Sequence, residues 1–195
     1  MIVDPLTIIS KYYLPGSPAF VMLIEHSRNV VSKCLAIAED VRYLNPDILF
    51  LKEAAMLHDI GIFCAYAPDI GCYGGRDYIC HGYLGRELIE KEGFPLHALV
   101  CERHVGMGLS ISDIAELNLP LPSRDMLPVT LEEKIICYAD KFYSKKKGSL
   151  HIEKPIQEVR KSISAYGKAQ LQRFDDLTLF FSRKPFPEKG LSQER

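Results

Sequence analysis

Met56-Leu57-His58-Asp59-Ile60-Gly61-Ile62 is the stretch that decides how this chain reads. Asn45-Pro46 has the form of a helix start, the mostly apolar residues that follow carry the helix through Leu57, and Gly61 supplies a C-terminal stop. An imidazole and a hard carboxylate therefore stand side by side at the end of an apolar helix. His26 lies upstream, and His81, His104 and Asp140 lie downstream, each beside helix-like sequence. Six potential ligands drawn from separate elements predict a buried metal centre rather than a run of polar surface residues.

Working outward, helix signals dominate. Ser17-Pro18 reads as an N-cap with proline at the first helical position. Phe20, Leu23, Ile24, Val30, Val31, Cys34 and Leu35 follow at helical spacings, with His26 in the first half of that helix. Residues 65–80 read as a loop rich in glycine. His81 opens a helix that Gly93 ends, and Pro95 begins a shorter one that carries Cys101 and His104 and stops at Gly106. Residues 107–129 read as a second irregular stretch. Thr130-Leu131-Glu132-Glu133 has the form of a capping box and starts the helix that bears Ile135, Ile136, Ala139 and Asp140. A last helix is expected over about 152–181, with a frayed polar tail over 183–195. No strand pattern, repeat or domain boundary competes with this. The expectation is an all-α, single-domain helical bundle over 1–195, its core at about 17–147, built around a buried metal centre.

Composition sets outer bounds. At 195 residues the chain can bury about 70% of its unfolded surface. With 47% hydrophobic and 25% charged residues it has the make-up of a soluble globular protein. A net charge of −1 gives no general field for nucleic acid or a membrane surface. The start, Met1-Ile2-Val3-Asp4-Pro5, lacks the pattern of a signal peptide, and no apolar run approaches the ~20 residues that span a bilayer. A cytoplasmic protein is the expectation. Cys64, Cys72 and Cys80 recur every eight residues, wider than the two-to-four spacing of structural zinc ligands, so they read as reduced, mostly buried thiols.

The pattern His26 … His58-Asp59-Ile60-Gly61 … Asp140 resembles the HD superfamily of metal-dependent phosphohydrolases, in its HD-Ile-Gly subgroup. His81 and His104 match the extra histidines of its two-metal members, and the likeness covers roughly residues 20–147. The resemblance implies that His26, His58, Asp59 and Asp140 hold one divalent ion, and that Asp59, His81 and His104 hold a second, with Asp59 bridging. Mixed nitrogen and oxygen ligands favour Mn or Fe, with Co, Ni, Zn or Mg as further candidates. Two such ions share and activate a hydroxide and neutralise a phosphoryl group under attack. The implied substrate is a small phosphate-containing molecule such as a nucleotide, with no nucleic-acid or membrane partner.

Outside the ligand set, Lys141 is the candidate cation for charge developing on phosphate. It sits about 100° around the helix from Asp140, so it can equally point elsewhere. The run Lys145-Lys146-Lys147 reads as a solvated face. Arg76 and Arg124, in the two loops, are candidate phosphate grips, while His97 reads as packing and His151 as surface. Two other function classes fit nearly the same ligands: a mixed-valent di-iron oxygenase, and a nucleotide-sensing binding module. The chain lacks the Gly-Tyr-Pro signature of the cyclic-dinucleotide phosphodiesterases, since Gly82-Tyr83 is followed by Leu84. Short single-domain HD proteins of unassigned substrate are the nearest likeness, carrying a segment like Leu131-Glu132-Glu133-Lys134-Ile135 before the last aspartate.

Overall fold

The computed structural model describes residues 3–182, and the expected polar tail lies outside them. Helix α1 (Pro5–Tyr12) is capped by the Asp4 carboxylate, which accepts from the amides of Leu6 and Thr7. Helix α2 (Pro18–Asp40) starts as its sequence dictates, with the Ser17 hydroxyl accepting from Phe20 N and proline at the first position. Helix α3 (Ile48–Leu57) starts later than Asn45-Pro46 suggested. Asp47 is its cap, accepting from Phe50 N, and Asn45 takes a left-handed conformation (φ 53°) that closes a preceding 3-10 turn.

After α3, His58 and Asp59 turn the chain into a 3-10 segment, Ile60–Cys64. Residues 65–80 include a small antiparallel hairpin, β1 (Tyr66–Ala67) with β2 (Cys72–Tyr73), where no strand was expected. Helices α4 (His81–Lys91) and α5 (Pro95–Arg103) follow, separated at Gly93 (φ 89°). The stretch expected to be irregular holds α6 (Ile111–Glu116), which the capping box of Ser110 and Asp113 starts. Helix α7 (Leu131–Ala139) has only half of its expected box. Thr130 Oγ1 accepts from Glu133 N, but the Glu133 carboxylate goes instead to Val129 N and Arg103. The single last helix is in fact two, α8 (Ile156–Ser164) and α9 (Lys168–Ser182), broken near Gly167 (φ 144°).

Two large apolar clusters make most of the core, and a smaller third gathers Val105, Leu109, Ile114 and Met126. One of the large clusters joins the second half of α2 to α3, α7, α8 and α9 through Val30, Ala54, Ile135 and Phe174. The other joins α1 and the first half of α2 to α4 and α5 through Ile9, Leu23, Ile89 and Cys101. Along α2 the change from one to the other falls between Ile24 and Val30, where His26 sits. Along α3 it falls between Ala55 and Leu57, next to His58-Asp59. His26, His58 and Asp59 thus occupy the seam between the two large apolar clusters. Among the described residues all six cysteines are free, five of them buried, and no helix is long and apolar enough to cross a membrane.

Gly61 is not the helix stop that its position suggested; α3 ends four residues earlier. It is required by close approach, because a Cβ there would run into the carbonyl oxygen of His81 and lie 2.5 Å from the Gly85 amide nitrogen. Both obstacles are backbone and cannot swing aside. Gly61→Ala is expected to destabilise the fold by about 3 kcal/mol, the upper part of the overpacking range, read from the urea midpoint. An unchanged midpoint would mean that α4 relaxes freely from the Gly61 turn.

Candidate metal centre

Three histidines are set by one local device. His58 and His104 occupy the C-cap positions of α3 and α5, and His81 opens α4. Each Nδ1 meets the carbonyl three residues earlier: Ala55 at 2.7 Å, Cys101 at 2.8 Å and Tyr78 at 2.6 Å. A carbonyl can only accept, so Nδ1 carries a proton, and in the neutral form of each ring the Nε2 lone pair is turned inward. The fourth histidine, His26, projects from α2, and Asp140 occupies the C-cap position of α7.

These groups converge on Asp59, which is completely buried. Its Oδ2 lies 3.2 Å from His26 Nε2 and 3.1 Å from His58 Nε2. Its Oδ1 lies 3.3 Å from both His81 Nε2 and His104 Nε2. The two carboxylate oxygens therefore serve different pairs of histidines. Asp140 Oδ1 closes the first group at 3.0 Å from His26 Nε2 and 3.4 Å from His58 Nε2. In each of the two sets (His26, His58, Asp59, Asp140 and Asp59, His81, His104), the ligand atoms lie within 4.8 Å of one another.

The donor set suits metal ions and is ill-suited to itself. His81 and His104 bring their Nε2 atoms within 3.2 Å of each other, and with both protons on Nδ1 neither can donate. His58 Nε2 and both Asp59 oxygens are buried and make no well-directed hydrogen bond. Burial with this many lone pairs is costly unless a cation is shared among them. Protonation shows the same tension. Burial works against a charged His58, yet Asp59 and Asp140 overcome it and push its pKa up to about 9, while burial drives His104 down to about 3. Burial also opposes ionised Asp59 and Asp140, but His58 and Lys145 around the first, and Lys141 and Lys145 around the second, hold both well below the usual carboxylate range.

Lys141 lies at the cluster, and Lys145 has a different place from the one the sequence suggested. The Lys141 ammonium donates to Asp140 Oδ2 at 2.7 Å and to the His104 carbonyl at 2.9 Å, bracing two members of the cluster. Lys145, read as part of a solvated face, reaches inward instead: its Nζ lies 2.7 Å from Asp59 Oδ2 and 3.6 Å from Asp140 Oδ1. Lys146 and Lys147 remain exposed. Nothing in the spacing marks Lys145 out, because it follows Asp140 in a segment that is no longer helical.

Arg124 is not free to grip a ligand, since its Nε donates to Glu102 at 2.9 Å, and Arg86 holds the same carboxylate. His97 is a packing residue as expected, 3.1 Å from Glu53 Oε2 and between the rings of Phe50 and Phe94. His151 is exposed. A cavity of about 590 Å³ opens onto the cluster, reaching His81, His104 and Asp140.

The family model described as HD domain matches residues 23–144. An uncharacterized protein of Methanocaldococcus jannaschii is 35% identical over 124 residues, covering 58% of this chain and 66% of that protein. Two proteins named tRNA (cytidine(56)-2'-O)-methyltransferase, from Thermoplasma volcanium and Picrophilus torridus, are 28% and 27% identical over 140 and 124 residues. Those alignments cover 71% and 63% of this chain but only 36% and 32% of the two proteins. The chain thus spans just under two thirds of the first relative and about a third of the others. No solved structure matches significantly.

Proposed function

The chain belongs to the HD domain family, and on that premise we propose that it is a metal-dependent phosphohydrolase cleaving a phosphate ester of a nucleotide or a small phosphorylated metabolite. One observation carries the reading: the lone-pair-rich cluster lies at the wall of a cavity that Lys141, Lys145, Lys146 and Lys154 also line. Facing carboxylates on that wall are Asp69 and Asp140, and Asp140 is already paired with Lys141. Such a surface favours an anion beside the cluster.

In this reading His26, His58, Asp59 and Asp140 hold one divalent ion, and Asp59, His81 and His104 a second, with Mn or Fe the best match to the donors. When bound, such ions lower the pKa of water and neutralise phosphoryl charge. The protein's own residues do the rest. The carbonyls of Ala55, Tyr78 and Cys101 fix the tautomers that leave Nε2 available. Lys141 holds Asp140 and the His104 backbone in register. Lys145 lines the cavity and places a fixed positive charge where the phosphate oxygens gain negative charge. The tRNA activity in the names of two relatives belongs to proteins matched over about a third of their length. With a net charge of −1, this chain has no general attraction for a polyanion, and a small molecule is the proposed partner.

The test is phosphate release by Mn²⁺-loaded protein across nucleotides and sugar phosphates, with Asp59→Ala as blank. Release by the wild type and none by the variant is expected. No release from metal-loaded protein, together with oxygen consumption by the iron-loaded form, would replace this reading with the di-iron oxygenase.

A further inference from the structure

Cluster and lysines account for only part of the cavity. Its volume, about 590 Å³, falls within the range of sites that enclose a ligand of drug size and exceeds what a phosphate group alone fills. Another part of the wall is apolar, with Leu109, Leu119, Val159 and Ile163. Val159 and Ile163 come from α8, Tyr166 from the turn after it, and Gln170 from α9. All four lie beyond residue 144, where the family match ends. This part of the wall therefore belongs to the chain's own C-terminal helices rather than to the shared core.

Gln170 is the exceptional residue among them. It is 2% exposed, yet it lines the cavity. Its Nε2 is buried and has no hydrogen-bond partner. Several buried polar side-chain atoms in the described residues lack a partner, and Gln170 is the one such residue lining this cavity. Its Oε1 lies against Gly167, where a Cβ would come within 2.5 Å of it. A glycine that makes room for a buried, unspent amide is a costly arrangement unless something else satisfies the amide. The terminal amide torsion is broad, so a small turn presents the group to the cavity.

Resting on the phosphohydrolase reading, we propose that α8, α9 and the turn between them form the specificity wall, with Gln170 as its reader. The ligand class is a phosphate ester whose organic part has an apolar face and a hydrogen-bonding carbonyl or ring-nitrogen edge, which is the chemistry of a nucleobase. The lysines take the phosphate, Val159 and Ile163 take the apolar face, and the Gln170 amide donates to the edge. Sugar phosphates offer hydroxyls to an apolar wall and fit poorly.

The experiment compares wild type, Gln170→Leu and Gln170→Glu as Mn²⁺-loaded proteins. Each is assayed with uridine 5′-monophosphate and with 1-naphthyl phosphate, which has the apolar face but no acceptor edge. Binding of both compounds is measured in parallel by calorimetry, and melting temperatures check folding. Gln170→Glu keeps the shape and removes the donor, so it carries the test where Gln170→Leu fails to fold. Either variant should raise KM or Kd for the nucleotide roughly tenfold or more and change the naphthyl ester less than twofold. An equal effect on both compounds, no effect on either, or no binding of the nucleotide by wild type would overturn the inference. Binding without turnover that still depends on Gln170 leaves the inference standing and defeats the hydrolase reading. Turnover indifferent to Gln170 does the reverse.

Discussion

Asp59→Ala is expected to leave the protein without tightly held divalent ions and without measurable phosphate release. The loss should exceed the roughly 10–100-fold that removing a supporting partner of a metal ligand costs. The reason is geometric. Oδ2 faces His26 and His58, Oδ1 faces His81 and His104, and no other carboxylate in the described residues contributes to both groups. Removing either end of the cluster is a smaller injury. His104→Ala leaves His26, His58, Asp59 and Asp140 intact, so one ion should remain. Metal content after gel filtration, measured by plasma mass spectrometry, separates the cases: none for Asp59→Ala, one per chain for His104→Ala, two for wild type. Asp59→Asn keeps the volume and the fold but offers one neutral oxygen, and it should fail like the alanine variant. Two ions retained in either Asp59 variant would defeat the bridging assignment.

The sequence made this cluster legible because metal chemistry constrains residue type severely. His58-Asp59 gains its weight from His26, His81, His104 and Asp140, each of which stands beside helix-like sequence. Helix starts marked by Ser17 and Thr130 were legible for the same reason: a hydroxyl that satisfies an orphan amide is a local device. Other features depend on distant residues. The role of Gly61 comes from the His81 carbonyl and Gly85 across the fold. The break between α8 and α9 hides within a helix-compatible pattern until Gly167 adopts φ 144°. Helix α6 is six residues long, too short for its periodicity to rise above the surrounding prolines. Lys145 carries no such signal, because three successive lysines normally share solvent and only the buried carboxylates draw one of them inward. Gln170 carries no sequence signal at all; its meaning lies in the cavity that it lines.

Lys145→Met is expected to move metal affinity and activity in opposite directions. The Lys145 ammonium lies 2.7 Å from Asp59 Oδ2 and 3.6 Å from Asp140 Oδ1, close to the oxygens that an ion would need. Burial disfavours its charge, but Asp140 and Asp59 outweigh that and raise its pKa well above the usual lysine value, so it stays charged at neutral pH. A fixed positive charge so near the ligands opposes a second cation by an energy on the order of a few kcal/mol at an effective dielectric of ~20. Removing it should tighten Mn²⁺ binding about tenfold or more by calorimetry, since 1.4 kcal/mol corresponds to a factor of ten. The metal-free variant should also melt lower than metal-free wild type, because Asp59 and Asp140 lose a counter-charge, and Mn²⁺ should rescue it by the larger margin. Turnover should nevertheless fall about a hundredfold, because on the proposed phosphohydrolase reading Lys145 lines the cavity that takes the phosphate. A lysine that merely braced the loop would weaken metal binding and activity together. Unchanged or weaker Mn²⁺ binding in Lys145→Met would show that the ammonium does not compete for those oxygens, and phosphate contact alone would remain as its role.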